Sequence, residues 1–305
     1  MAMRLLPDAA ESAYATSFDG TPIFWERHGP ALKDPSALRP MIFCYGLVCG
    51  MNQWRQQIAR YTEAGHPCIL MDYRGHHRSG NPSDAKLMNI SVLAKDVSCV
   101  LHHLKISTPI HLWGHSMGCN VVIEFALAEP LLCRSLVLCC GTPDNPFNHM
   151  FGSQVPALLS AKIFDFMKSY PEPILKFWDI VRARPSMTQL SAYLAGFNTS
   201  TSTRDDIRAY AEAVCDVSSE TFLALLEDMS RGQTRAILPR VRVPSIVVAG
   251  ALDRVTPPSE QRSLAELLPD SHYVEIPAGS HNVQLDFGEY VGLKVEEFWR
   301  KRDLD

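Results

Sequence analysis

Two hydrophobic rhythms alternate along this chain. One consists of short, mostly apolar runs: Met41 to Cys44, Cys68 to Met71, Pro109 to Trp113, Ser135 to Cys140, Ser245 to Ala249 and Tyr273 to Ile276. Such runs, without polar alternation, fit strands buried on both faces of a sheet. The other rhythm repeats apolar residues three or four positions apart, which makes one face of a helix. It predicts helices over Met51 to Ala64 (Trp54, Ile58, Tyr61 inward), Ser91 to Lys105 (Leu93, Val97, Val100, Leu104) and Met117 to Ala128. Two more are predicted over Ser259 to Leu268 and from about Glu289, where Val291, Val295 and Phe298 mark the inner face. Ahead of these elements, Tyr14 to Ser17 and Ile23 to Glu26 flank Asp19-Gly20, a hairpin signal. Strands that alternate with helices in this way build a parallel sheet covered on both sides.

The alternation stops between Thr142 and Pro239. No strand is predicted there, and the segment is rich in aromatics and interrupted by Pro156, Pro171, Pro173 and Pro185. Thr203 with Asp206 has the form of a capping box, and Ser218 to Met229 reads as a helix. The expected organisation is one α/β core, residues 1–141 and 240–305, interrupted by a helical insertion over 142–239.

Composition narrows the function classes. With 305 residues and 46% hydrophobic content, the chain can bury a sizeable core. The net charge is -4 with both signs interspersed, and no basic cluster has the density of a nucleic-acid footprint. No apolar run reaches the roughly 18 residues of a membrane helix. Pro7, Asp8 and Glu11 interrupt any leader-like stretch at the N-terminus. The nine cysteines are scattered through apolar runs with no Cys-x-x-Cys pair, so neither a zinc site nor a disulfide framework is signalled. These features lead to an expected cytoplasmic location with reduced thiols.

Candidate chemistry sits at the strand-to-helix junction Gly114-His115-Ser116-Met117-Gly118. The G-x-S-x-G pattern is weak alone, but its position gives it weight. A sharp turn there lifts the serine hydroxyl above the carboxyl edge of the sheet, and the glycines remove side chains that would clash. A serine hydroxyl needs a base to take its proton. His281 is best placed, following the last strand in a Gly279-Ser280 loop, whereas His272 precedes that strand and belongs at the other edge. The base in turn needs a carboxylate to hold its tautomer. Asp253 follows the strand ending at Gly250, and Asp144 is its rival. The order Ser, Asp, His is the one expected for this topology. Oxyanion donors are expected at the backbone N–H of Met117 and, from the turn after Cys44, that of Leu47. Nothing in this set requires a metal or an organic cofactor.

Together these residues resemble the α/β-hydrolase superfamily, from about Thr16 to Arg302. The resemblance rests on the serine turn, the glycine turn followed by Trp54, Asp72-Tyr73-Arg74-Gly75 with Ser79, Gly250-Ala251-Leu252-Asp253 and Gly279-Ser280-His281. It departs in three places: Tyr45-Gly46 stands for a usual His-Gly, His77 for a glycine, and Cys119 for another. The resemblance implies an eight-stranded, mostly parallel sheet flanked by helices, with 142–239 as a cap over the active site. It also implies a serine hydrolase acting on a small carboxylic ester or related acyl compound with an apolar group, in the manner of esterases and lipases. Tyr45, His115 and Trp178 are expected at the substrate. Carbon–carbon bond hydrolases and lactonases share this machinery, and so do receptor-like members without turnover. Substrate choice lies in the cap.

Overall fold

The structure is a computed structural model and describes residues 4–146, 169–184, 186, 196–198 and 200–304. Eight strands form one sheet: β1 (Glu11–Thr16), β2 (Pro22–His28), β3 (Met41–Cys44), β4 (Cys68–Met71), β5 (Ile110–His115), β6 (Cys133–Cys139), β7 (Ser245–Gly250) and β8 (Ser271–Ile276). Their spatial order is β1-β2-β4-β3-β5-β6-β7-β8. The β1–β2 and β2–β4 pairs are antiparallel, and every pair from β4 to β8 is parallel. The fully buried runs are the parallel strands β3, β4, β5 and β7, as expected for strands covered on both faces.

Helix α1 (Arg55–Glu63) follows β3, α2 (Ile90–His103) follows β4 and α3 (Met117–Ala128) follows β5. The chain steps from β3 back to β4, then forward from β4 past β3 to β5. Right-handed crossovers made in opposite directions put α1 on one face and α2 on the other. The reversal makes the carboxyl end of β3 and β5 the switch point, where open α/β sheets leave a crevice. The first predicted helix is divided: Met51–Trp54 is a 3-10 turn and the α-helix begins at Arg55. Its inner face is as expected, with Trp54, Ile58 and Tyr61 buried.

Between β6 and β7 come α4 (Pro171–Arg182), α5 (Arg204–Asp216) and α6 (Ser219–Ser230). The Thr203–Asp206 capping box is present at α5, and Ser218 caps α6. Helix α4 opens on Pro171, a position that needs no N–H; its prolines obscured it in the sequence. The insertion is tied to the core by Arg55, whose guanidinium grips both Asp206 oxygens at 2.6 and 2.8 Å. Asp228 accepts from Ile90 N–H at 2.9 Å and Asn120 donates to Thr234 at 2.6 Å. Helix α7 (Pro258–Leu267) joins β7 to β8, and α8 (Gly288–Lys301) closes the chain against α1. No helix among the described residues is long and apolar enough to cross a membrane. All nine cysteines are free.

Two buried ion clusters lock the loops around the crevice. Arg74, fully buried, donates to both Asp96 oxygens at 2.7 Å and reaches Ser17 and Asp19 in the β1–β2 turn. Glu26 accepts from Arg4 and Arg78 and faces His28 Nε2 at 3.0 Å. Burial alone raises the Glu26 pKa, but these partners outweigh it and hold the carboxyl at about 2. A depressed carboxylate contributes stability above its unfolded value of 4.5, and that stability is lost as pH falls toward 2. In urea titrations, Glu26→Gln is expected to cost about 3 kcal/mol at pH 7. The gap to wild type should close between about pH 4.5 and 2. A gap that persists at pH 2 contradicts the ion-cluster account.

Candidate active site

Ser116 stands between β5 and α3 with φ 52° and ψ -120°, outside the usual regions for a non-glycine residue. The turn survives because its neighbours leave no alternative. Ser116 N–H is bound by Cys139 C=O at 2.9 Å, and Ser116 C=O by Cys119 N–H at 2.9 Å. A Cβ on Gly114 would lie 2.6 Å from Gly118 O, and one on Gly118 would lie 2.1 Å from Cys44 O. The serine turn and the end of β3 therefore pack backbone to backbone, and only glycine permits it. Cys119, where a glycine was expected, points its thiol at Gly114 O (3.3 Å) and Cys139 O (3.4 Å).

The turn after β3 is clamped peptide by peptide. Tyr73 hydroxyl donates to Tyr45 C=O at 3.0 Å, Gly46 N–H donates to Gln53 Oε1 at 3.3 Å, and Cys49 N–H donates to Gly46 C=O at 3.1 Å. The N–H of Leu47 and that of Met117 have no protein acceptor among the described residues. Gly46 has its Cα against Ser116: a Cβ there would lie 3.2 Å from Ser116 Cβ. Tyr45 differs from the expectation. It is fully buried, its hydroxyl accepts from Tyr73 N–H at 3.1 Å and its ring lies 4.6 Å from that of Tyr73. Its hydroxyl and its carbonyl are both engaged by Tyr73, so it pins the turn.

Ser116, Asp253 and His281 follow the carboxyl ends of β5, β7 and β8, three parallel strands, and so emerge at one rim. His281 Nδ1 lies 2.9 Å from Asp253 Oδ2. Asp253 also accepts from Val255 N–H (2.8 Å), Thr256 N–H (2.9 Å), Thr256 hydroxyl (2.7 Å) and Gln261 Nε2 (3.1 Å). Burial raises the Asp253 pKa, yet the His281 charge and the hydrogen bonds from His281 and Thr256 prevail and hold it below the usual carboxylate value. A buried, ionised carboxylate with its lone pairs occupied can orient an imidazole without moving. Asp144, the rival, is gripped at both oxygens by Arg235 at 2.7 and 2.6 Å. Its carboxylate is spoken for.

His115 is buried and its Nε2 lies 2.7 Å from His281 C=O, with the two rings 4.9 Å apart. Burial, then the charge of His281, pushes its pKa to about 3. It is thus neutral and donates from Nε2, tethering the His281 loop, where a substrate contact was expected. Trp178 falls on α4, and its side chain lies outside the described residues. His77, in a glycine's expected place, does adopt a positive φ of 45° and ties Cys49 C=O (2.7 Å) to Asp216 on α5 (3.7 Å). Sequence reading missed Gln53, Thr256, Gln261 and Asn282, since their roles depend on contacts the spacing does not encode. Only Thr256, three residues after Asp253, has a local turn signature.

Among the described residues, His115, Cys140 and His281 bring potential metal-binding atoms within 4.8 Å of one another. The arrangement serves hydrogen bonding instead: His281 Nδ1 faces Asp253, His115 Nε2 faces His281 C=O, and burial keeps the Cys140 thiol protonated. A cavity of about 280 Å³ lies beside Cys49–Gln53, lined also by His77, Arg78, Phe197 and Tyr210. Neither Ser116 nor His281 borders it.

Known proteins are similar to this chain. The family model for the alpha/beta hydrolase fold matches residues 39–287, which includes Ser116, Asp253 and His281. The chain belongs to this family. A protein assigned as carbamate hydrolase RutD in Azorhizobium caulinodans is 28% identical over 261 residues, covering 85% of this chain and 88% of that protein. A non-heme chloroperoxidase from Burkholderia pyrrocinia is 24% identical over 247 residues, covering 80% of this chain and 83% of that one. Among solved structures, a thermophilic esterase from Thermogutta terrifontis superposes with a TM-score of 0.74 at 20% identity, covering 96% of this chain and 99% of that one. That likeness is one of fold. This member of the alpha/beta hydrolase family is accordingly a hydrolase of eight strands with helices on both faces, and the bond it cuts depends on the site.

Proposed function

We propose that the chain is a serine hydrolase that cleaves a carboxylic ester of a small, partly apolar molecule through an acyl-enzyme. The buried Asp253–His281 hydrogen bond, at the rim where Ser116 emerges, carries this reading. Ser116 Oγ attacks the carbonyl carbon while His281 takes its proton; the oxyanion that forms is met by Leu47 and Met117 N–H. His281, now an imidazolium facing Asp253, returns the proton to the leaving alkoxide. Water, deprotonated by the same imidazole, then releases the acid and frees Ser116. The two main-chain N–H groups, without protein acceptors among the described residues and on turns packed against each other, suit this role.

In this reading residues 142–239 form a cap whose helices α4–α6 shape the acyl or alcohol pocket. Nine free thiols suit a reducing cytoplasm. The likeness to the RutD protein over 85% of the chain favours a carbamate as the second substrate class, cleaved by the same steps through a carbamoyl-enzyme.

A fluorophosphonate probe should label Ser116, and p-nitrophenyl esters should turn over, with a preference in acyl length set by the cap. Carbamate and lactone analogues run alongside assign the substrate class. Ligand affinity without turnover, or a probe that leaves Ser116 untouched, rejects the hydrolase mechanism.

A further inference from the structure

The turn that offers Leu47 N–H follows β3, whereas His281 follows β8 at the far end of the parallel strands. One buried side chain touches both. Gln53, 6% exposed, accepts Gly46 N–H at Oε1 (3.3 Å) and donates from Nε2 to Asn282 Oδ1 (3.0 Å), 229 residues along the chain. The amide's orientation is dictated by its partners. Gly46 N–H can only donate, so the oxygen must face it and the NH₂ is left for Asn282. We infer that Gln53 is a positioning residue, a strut that sets the oxyanion turn in register with the base loop. This rests on the serine-hydrolase reading above.

The surrounding hydrogen bonds isolate the role. Two peptides of the oxyanion turn are clamped: the 45–46 peptide by Tyr73 on its C=O and Gln53 on its N–H, and the 46–47 peptide by Cys49 on its C=O. Without Gln53, Gly46 N–H is a buried donor with no acceptor, and the 45–46 peptide is held at Tyr45 C=O alone; a tilt about that end strains the adjoining 46–47 peptide, which carries Leu47 N–H. On the other side, Asn282 is the residue after the base, and its own N–H donates to Ser280 Oγ at 3.1 Å. His115 holds His281 C=O from the serine turn; Gln53 holds the next residue from the oxyanion turn. The base loop is thereby referenced to both halves of the site. Gln56 and Gln57 also reach this segment, donating to Leu285 C=O (2.7 Å) and Gln284 C=O (2.9 Å). They touch no part of the oxyanion turn. Cutting Gln53 alone should leave the segment docked and lose only the register.

The test is the rate constant kinact and the apparent affinity KI for fluorophosphonate labelling of Ser116 in the full chain. Gln53→Met keeps the volume and removes both bonds. It is expected to lower kinact about 10- to 30-fold with KI within about twofold, as a misplaced oxyanion donor should. Gln53→Glu keeps an acceptor for Gly46 N–H, and Asn282 can turn its Nδ2 toward the carboxyl, so kinact should recover to within about threefold of wild type. Gln56→Met, which cuts a tether with no link to the oxyanion turn, should stay within about twofold. A wild-type rate in Gln53→Met, or an equal loss in Gln56→Met, overturns the strut. Should Gln53→Met fail to fold, Asn282→Ala cuts the bridge from its other end and decides by the same criterion. A wild-type protein inert to the probe overturns the serine-hydrolase reading itself, whereas a reactive wild type with an unaffected Gln53→Met overturns the strut alone.

Discussion

Ser116→Ala is expected to lower ester turnover by about 10⁴-fold or more and to leave the melting temperature within about 2 °C of wild type. The two halves of that result have separate causes. Alanine keeps the Cβ, so the strained backbone at φ 52° meets the same neighbours and the same two hydrogen bonds. Folding does not use the hydroxyl, because no protein hydrogen bond of Ser116 Oγ is present among the described residues. In the proposed mechanism, catalysis loses the nucleophile outright. Water could still be activated by His281, and the oxyanion donors remain, so a residual rate above the uncatalysed one is expected. Turnover measured with p-nitrophenyl esters, alongside a thermal melt, separates the two. Wild-type activity in Ser116→Ala would mean that another nucleophile does the chemistry.

Asp253→Asn should cost about 10³- to 10⁴-fold in kcat, while Asp144→Asn should change it less than about threefold. The first loss comes from tautomer choice. Oδ1 of an asparagine can keep the Val255 and Thr256 N–H bonds, so its NH₂ must take the place of Oδ2, facing His281 Nδ1 and Gln261 Nε2. A donor there accommodates only the imidazole that carries its proton on Nε2, and that form cannot accept from Ser116. The NH₂ also meets Gln261 Nε2 donor to donor. Asp144, by contrast, is in a half-exposed pair with Arg235, whose loss matters little to the site and costs on the order of 1 kcal/mol or less. Steady-state kinetics of the two variants discriminate directly: a crippled Asp144→Asn with an active Asp253→Asn reverses the assignment of the acid.

Most of the architecture could be read from the chain because it depends on local rules. Short apolar runs fit strands covered on both faces, as β3, β4, β5 and β7 are and the edge strand β8 is not, and their alternation with amphipathic helices points to a parallel sheet with right-handed crossovers. That topology sends the carboxyl end of every parallel strand to one rim, so the residues following β5, β7 and β8 meet without any knowledge of side-chain positions. The capping box at Thr203 was legible for the same reason: its two partners lie three residues apart.

What the sequence could not settle were pairings made across the chain. Asp253 and Asp144 are equivalent by position, and only the tertiary structure shows one facing His281 and the other held by Arg235. Tyr45 and His115 have the chemistry of ligand contacts, but burial turned one into a pin for a turn and the other into a tether for the His281 loop. Gln53 shows no signature at all, since its two partners lie 7 and 229 residues away. Periodicity reports which face of an element is buried; it carries no information on which buried polar atom will find which partner. A buried polar atom must be satisfied wherever packing leaves it, so these assignments were decided only when the chain closed on itself.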